Sequence, residues 1–136
     1  MATARATGRY TYAGQYWCTK LIYDSYNLVG LKVPKYEGVI SMRQWWQHAS
    51  GFKYVNYEQN KQNIYNVHPG YAMFMEDPGP GQKQHVAVIN TIWVDGTGNG
   101  QINTIEANAN RRWKSYSVRH WQVQGTVHAV KGFGGA

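Results

Sequence analysis

Cysteine is almost absent from this chain of 136 residues, since Cys18 is the single one. An intrachain disulfide is therefore excluded, and the thiol does not reveal the redox compartment, because disulfide-free domains of this size are stable in either setting. Long apolar runs are missing too, so that neither a membrane-spanning helix nor the hydrophobic segment of a signal peptide is expected. We expect a single domain over residues 1–136, either cytoplasmic or excised from a longer protein whose export signal lies upstream.

Acidic residues are scarce: seven Asp and Glu stand against fourteen Lys and Arg, which gives a net charge of +7. This charge indicates an anionic partner, such as an acidic cell-wall polymer, anionic lipid or nucleic acid. The basic residues are spread along the chain and their densest group, within 111–119, is small, so that nucleic acid is not expected. Aromatic residues are abundant, and some of the eleven Tyr and six Trp are expected to line a groove where rings stack on sugars or peptides.

Spacings typical of metal sites and phosphate-binding loops are also missing. No two of the five histidines have a His-x-x-x-His spacing, and a zinc site would depend on scattered histidines and one cysteine. The sequence contains no Asp-x-Asp-x-Asp-Gly calcium loop and no Gly-x-x-x-x-Gly-Lys loop. We therefore expect neither a metal nor a cofactor.

Helical periodicity is confined to the first half of the chain. Apolar positions recur at helical spacing from Trp17 to Val29, and a capping-box pattern at Ser41 and Gln44 predicts a second helix over 41–50. The second half contains short runs rich in Val, Ile, Trp and Tyr between glycine and proline clusters, which predict strands at 71–76, 84–94, 101–108, 115–123 and 126–131. Helices followed by an antiparallel meander are typical of an α+β domain.

The remaining segments are predicted to lack regular structure. Residues 1–9 carry few long apolar side chains and are expected to form an extended arm, and the polar residues 56–70 are expected to form a loop. Residues 132–136 are rich in glycine, which favours a tail or the start of a linker.

Cys18 lies where the first predicted helix begins. Unpaired backbone N–H groups and the positive end of the helix dipole stabilise a thiolate at such a position, so that its sulfur would be a good nucleophile. A single cysteine is more often only a small apolar core residue, however, and a base elsewhere in the chain is needed to favour catalysis.

His85 opens one predicted strand, and Glu106 and Asn108 lie in the next. The two strands should pair as a hairpin, in which side chains alternate between the two faces. A loop with an even number of residues puts these three side chains on one face, whereas an odd loop or a bulge would break the pattern. A carboxylate beside a histidine holds the ring and stabilises the imidazolium. Cys18, His85 and Glu106 are therefore the minimum parts of a thiol hydrolase.

These motifs resemble those of the CHAP domain, the cysteine- and histidine-dependent amidohydrolase/peptidase family of the papain-like NlpC/P60 group. The resemblance covers about residues 10–131 and rests on Gly14-Gln15 before Cys18-Thr19, on Pro69-Gly70-Tyr71-Ala72-Met73-Phe74, on His85-Val86-Ala87-Val88-Ile89 and on Glu106-x-Asn108. It implies an α+β, papain-like fold, in which N-terminal helices that carry the cysteine pack on an antiparallel sheet of about five or six strands. The histidine, glutamate and asparagine would lie on that sheet.

The resemblance also implies an activity, the hydrolysis of an amide bond in bacterial peptidoglycan, either between muramic acid and L-alanine or within the peptide cross-links. Its catalytic residues would be Cys18 as nucleophile, His85 as general base, and Glu106 and Asn108 as the residues that orient the histidine. Gln15 and Trp17 are candidates for oxyanion or substrate contacts. Such a hydrolase would be secreted, periplasmic or cell-wall associated, and an effector toxin of this kind would have an immunity or inhibitor protein as partner.

Two other functions stay open. A non-catalytic cell-wall-binding or adhesion module that keeps the fold would hold an anionic glycan with its basic charge and its aromatic rings. A nucleic-acid-binding domain is indicated by charge alone, and a steep salt dependence of DNA or RNA binding would reveal it.

Overall fold

The structure is a computed structural model that describes residues 17–36, 38–77, 83–108 and 110–136. Over these residues the helices are α1 (Trp17–Leu28), α2 (Val39–His48) and a 3₁₀ helix (Lys61–Asn66). The strands are β1 (Lys53–Val55), β2 (Ala72–Glu76), β3 (Gln84–Val94), β4 (Gly100–Asn108), β5 (Asn110–Arg119), β6 (Gln122–Val123) and β7 (Val130–Gly135). Both predicted α-helices and the strands predicted at 71–76, 84–94 and 101–108 are confirmed to within two residues.

All the strands belong to one antiparallel sheet in the order β1-β7-β2-β3-β4-β5-β6. The sheet curls into a half-barrel. The expected papain-like α+β fold, with N-terminal helices packed on a sheet of five or six strands, is therefore wrong. The domain is mostly sheet, and the helices among the described residues are short.

The sequence does not predict β1 or the part of β7 formed by residues 132–135, and these two strands lie side by side at one end of the sheet. No strand was predicted at β1, because three residues are too few to show an alternating pattern. Residues 132–135, expected to form a tail or linker, instead lie in β7 between β1 and β2. The strands predicted at 115–123 and 126–131 were also displaced, since β5 begins at Asn110 and the last strand begins at Val130.

The glycines of β7 allow aromatic rings to pack directly against its backbone. A Cβ atom at Gly134 would lie 2.6 Å from the ring of Trp46, and one at Gly135 would lie 2.2 Å from the ring of Tyr71. The indole Nε1 of Trp46 also donates a hydrogen bond to the carbonyl oxygen of Gly135 (3.0 Å). Glycine is thus required here for close approach and not for a flexible chain end.

The sheet buries apolar side chains on both faces, because successive residues of β2 and β3 point to opposite sides. On one face Phe74, Val86 and Val88 pack with α1 and α2. On the other face Met73 and Ile89 belong to a second core that the curled sheet encloses with the 3₁₀ helix. Burial on both faces explains why these strands are continuous apolar runs in the sequence.

Helix α2 is fixed by tertiary contacts at both its start and its middle. It begins at Val39 with Gly38 as N-cap and no side-chain capping bond, so the capping box predicted at 41–44 is wrong. The Ile40 backbone N–H donates instead to Oε1 of Gln84 on β3 (3.0 Å). Further along the helix, the guanidinium of Arg43 forms a bidentate ion pair with the buried carboxylate of Glu76.

Neither α1 nor α2 has the length and apolar character that a membrane crossing requires.

The polar segment predicted as a loop contains the 3₁₀ helix. Asn60 caps it, because its Oδ1 accepts a hydrogen bond from the backbone N–H of Gln62 (3.0 Å). The helix contributes the buried side chain of Ile64 to the second core, so this segment is packed against the sheet.

Candidate active site

Cys18 lies in the first turn of α1, and only 7% of its surface is exposed. The inward stripe of α1, formed by Cys18, Leu21 and Ile22, packs in the same core as side chains of β3 and β4. This packing brings the first turn of α1 to the end of the sheet where β3 begins and β4 ends. His85 and Ala107 lie at that end and line a pocket together with Cys18.

His85 and Glu106 share a face of the sheet because two irregularities cancel. The β3–β4 loop, residues 95–99, has an odd number of residues, which alone would put the two side chains on opposite faces. A register shift between Ile89 and Thr91 moves the pairing by one residue and restores the common face. The predicted shared face is therefore present, although the loop is not of the even length that was considered for it.

Asp95 stabilises the β3–β4 loop formed by residues 95–99. Its Oδ1 accepts hydrogen bonds from the backbone N–H groups of Thr97 (2.9 Å) and Asn99 (3.0 Å). Asp at the start of a turn commonly bonds the backbone in this way. Gly98 takes the left-handed conformation that completes the turn, with φ of 84°. The local sequence thus selects this longer loop over a two-residue turn.

The Glu106 carboxylate is buried and held by three side chains. Its Oε1 accepts from Nε2 of His85 (2.7 Å), and its Oε2 accepts from the hydroxyls of Thr104 (2.7 Å) and Tyr116 (2.8 Å). Burial raises the pKa of Glu106, but these hydrogen bonds and the charge of His85 outweigh it and lower the pKa to about 2. The carboxylate is therefore a fixed negative charge that orients the imidazole.

Thr104 and Tyr116 were not predicted from the sequence. Thr104 could have been found, because it lies two residues before Glu106 on the same strand and therefore on the same face. Tyr116 lies on β5, and only the β4–β5 register brings its hydroxyl to the carboxylate. Burial, together with this contact, raises the pKa of Tyr116, which keeps its hydroxyl a donor.

The His85 ring connects Cys18 to Glu106. Burial lowers the pKa of His85, but hydrogen bonds and charge interactions with Cys18 and Glu106 outweigh it and raise the pKa to about 9. An ionised carboxylate can only accept, so Nε2 donates to Glu106 and Nδ1 is the ring nitrogen left for Cys18. At neutral pH the ring is therefore an imidazolium between Cys18 and the carboxylate.

The three residues open onto a pocket of about 300 Å³. Its lining includes Cys18, His85, Glu106, Arg112, Lys114 and His128. The side chain of His85 is 23% exposed and that of Glu106 is 4% exposed. A ligand in the pocket can therefore reach the imidazole, whereas the carboxylate behind it is shielded.

His128, which lines this pocket, belongs to a second histidine–carboxylate pair. Nδ1 of His128 is 2.8 Å from Oδ2 of Asp77, and the His128 side chain is 14% exposed. This pair could not be predicted from the sequence, because the two residues are far apart in the chain and neither belongs to a motif. The remaining histidines lie elsewhere: His48 at the end of α2, His68 against the ring of Tyr71, and His120 beside Trp121.

Of the other predicted site residues, the structure describes Trp17 and the backbone of Asn108. Trp17 is the first residue of α1 and packs, half-buried, against the core that contains Cys18. Asn108 ends β4, where it pairs with Asn110, but its side chain lies outside the described part of the structure. Gln15 and the arm predicted at 1–9 also lie outside the described residues.

In the described ranges no group of three or more His, Cys, Asp and Glu side chains is arranged to hold a metal ion.

Comparisons with protein-family models, with curated proteins and with solved structures found no match to this chain. The chemistry of the site must therefore be inferred from its own residues.

Proposed function

We propose that this chain is a cysteine-dependent amide hydrolase that acts on bacterial peptidoglycan. The observation that carries the reaction class is the His85 imidazole, which interacts with Cys18 on one side and Glu106 on the other at an open pocket. The substrate class is supported by the resemblance of the sequence motifs to those of the CHAP family and by the net charge of +7, which favours an anionic wall polymer.

In the first step, the Cys18 thiolate attacks the carbonyl carbon of the amide. A carbon–sulfur bond forms, and the carbonyl oxygen becomes an oxyanion that the backbone N–H of Cys18 and a neighbouring donor stabilise. The His85 imidazolium then donates its proton to the amide nitrogen, and the carbon–nitrogen bond breaks. The products of this step are a free amine and a thioester on Cys18.

In the second step, neutral His85 takes a proton from water, and the resulting hydroxide attacks the thioester carbon. The carbon–sulfur bond breaks, a carboxylic acid leaves, and the thiolate–imidazolium pair is restored. Glu106 stays ionised throughout and holds the ring. Because its pKa is lowered to about 2, it does not compete for the proton.

The test is the hydrolysis of purified muropeptides by the wild-type chain and by Cys18→Ala, followed by mass spectrometry of the products. We expect new amine and carboxyl ends from the wild type and none from the variant. Circular dichroism should show the same fold for both proteins, because alanine at this position removes only the sulfur. Wall hydrolysis retained by Cys18→Ala would contradict the proposal.

A second measurement follows the thiol directly. We expect iodoacetamide to label Cys18 stoichiometrically near neutral pH, and we expect His85→Ala to slow this labelling because the imidazolium that stabilises the thiolate is lost. His48→Ala is the matched control, since His48 is exposed at the end of α2. Equal labelling rates in all three proteins would contradict a thiol–imidazole pair.

One observation favours a non-catalytic wall-binding module instead. Trp93 and Trp113 are 59% and 60% exposed, and their partners Gln101 and Ile105 lie four residues apart on β4, so both indoles project from one face of the sheet. Exposed indoles stack on sugar rings. This function would leave Cys18 slow to alkylate and the muropeptides intact, whereas binding to the wall would depend on the two indoles.

A further inference from the structure

Two cations line the pocket on the side of β5. In the β4–β5 register Arg112 lies opposite Glu106 and Lys114 lies opposite Thr104, so both side chains project from the face that carries the Glu106 carboxylate. Both residues line the pocket and are exposed to solvent. A ligand that reaches Cys18 therefore meets these two side chains.

Among the described residues, the acids near the pocket use these cations only in part. Glu106 already accepts hydrogen bonds from His85, Thr104 and Tyr116, and Nζ of Lys114 forms an ion pair with its Oε1 at 3.8 Å, too long for a hydrogen bond. Asp77 is bonded to His128, which lines the pocket. The β5 side of the pocket therefore keeps positive charge available for a ligand.

We propose that Arg112 and Lys114 bind a free carboxylate of the substrate close to the scissile amide, so that the site selects acidic wall peptides. The inference rests on the proposed amide hydrolysis, because it assigns the substrate of that same site. A guanidinium presents its N–H donors in a planar fork that matches the two oxygens of a carboxylate. Peptides carry carboxylates beside their amide bonds, and this favours a carboxylate over a phosphate as the bound group.

The experiment measures binding without turnover, in the Cys18→Ala chain, by isothermal titration calorimetry. Its probes are two purified muropeptides that differ at one group: one carries D-glutamate with a free α-carboxylate, and the other carries D-isoglutamine with a carboxamide there. We expect the carboxylate form to bind about 10- to 100-fold more tightly, the range for a hydrogen bond to a charged group.

Substitutions then test which cations produce this preference. In the Cys18→Ala background, Arg112→Gln and Lys114→Gln should each reduce the ratio of the two dissociation constants. Arg119→Gln is the matched control: it removes one cation from the far end of β5, on the opposite face, and should leave the ratio unchanged. Equal affinities for the two muropeptides, no detectable binding, or a ratio that survives both substitutions would overturn the carboxylate site.

Hydrolysis is measured separately with the wild-type chain on the same two muropeptides. A binding preference without hydrolysis of either muropeptide would contradict the proposed function and support the carboxylate site. Hydrolysis of both muropeptides without any preference in binding or rate would support the proposed function and overturn the carboxylate site.

Discussion

Replacing Glu106 with glutamine removes one charge from the centre of the site and leaves its shape nearly unchanged. Glutamine can still accept a hydrogen bond from Thr104 or Tyr116, but it no longer attracts the imidazolium of His85. Burial, which lowers the pKa of His85, is then opposed by Cys18 alone. We expect the pKa of His85 to fall from about 9 toward its ordinary value of 6.5.

The same change predicts a loss of stability that depends on pH. The pKa of His85 is raised in the folded protein, so its contribution is complete below about pH 6.5 and is lost as the pH rises through about 9. The pKa of Glu106 is lowered, so its contribution is complete above about pH 4.5 and is lost as the pH falls toward 2. The pair therefore stabilises the fold most between these limits, from about pH 4.5 to 6.5.

Both pKa changes include the same His85–Glu106 interaction, so they are not summed. The rise for His85 corresponds to about 3 kcal/mol. This is an upper value for the pair, because Cys18 supplies part of the rise and because glutamine also avoids the cost of burying a charge. We expect Glu106→Gln to lower the free energy of unfolding by up to about 3 kcal/mol at pH 6. The loss should be smaller at pH 10, where the wild-type imidazole is already neutral.

The measurements are an NMR titration of the His85 ring and urea unfolding at pH 6 and pH 10. Glu58→Gln is the matched control, because Glu58 pairs with Lys131 at the surface with 62% of its side chain exposed, and its loss should change stability little at either pH. An unchanged His85 pKa near 9 in Glu106→Gln, or an equal loss of stability at both pH values, would refute the inferred ion pair.

Two further predictions concern the fold. Gly134→Ala should destabilise the protein by about 2 kcal/mol, because the new Cβ would lie 2.6 Å from the fully buried Trp46 ring. The control in the same urea titration is Gly96→Ala, whose new Cβ would have no atom within 4 Å. Equal effects of the two substitutions would contradict the packing argument. Arg43→Ala should lower the free energy of unfolding by about 3 kcal/mol, because it leaves the buried carboxylate of Glu76 without its guanidinium partner. A thermal midpoint equal to that of the wild type would show that this ion pair contributes nothing to stability.

Both α-helices could be predicted from the helical spacing of their apolar residues, and the central strands from apolar runs bounded by glycine and proline clusters. β1 and β7 could not, for different reasons. β1 has three residues and no visible alternation, and half of the residues of β7 are glycine, of which Gly134 and Gly135 let Trp46 and Tyr71 approach the backbone. A glycine run has the same appearance in a linker and in a tightly packed strand, and only the neighbouring rings distinguish the two.

The residues of the candidate site also fall into two groups: those predicted from the sequence and those brought together only by the fold. The alternation of side chains along a hairpin predicts that His85 and Glu106 share a face only if the loop has an even number of residues, and the loop 95–99 is odd. The local sequence favours this odd loop through Asp95 and Gly98. The register shift between Ile89 and Thr91, which restores the common face, could not be predicted because it depends on packing. Tyr116 and the His128–Asp77 pair became visible only when the strand order was known.

The chemical groups of the site can be read from the sequence, which places a lone thiol at a helix start and a histidine and a glutamate on successive strands, because residue identity and short-range spacing are local properties. Three further features come from the three-dimensional fold: the first turn of α1 packs at the beginning of β3, the Glu106 carboxylate is buried, and Arg112 and Lys114 line the same pocket. These features depend on how a curled sheet of seven strands closes around its two cores. Such closure is set by contacts between distant segments, and no short stretch of the sequence records them.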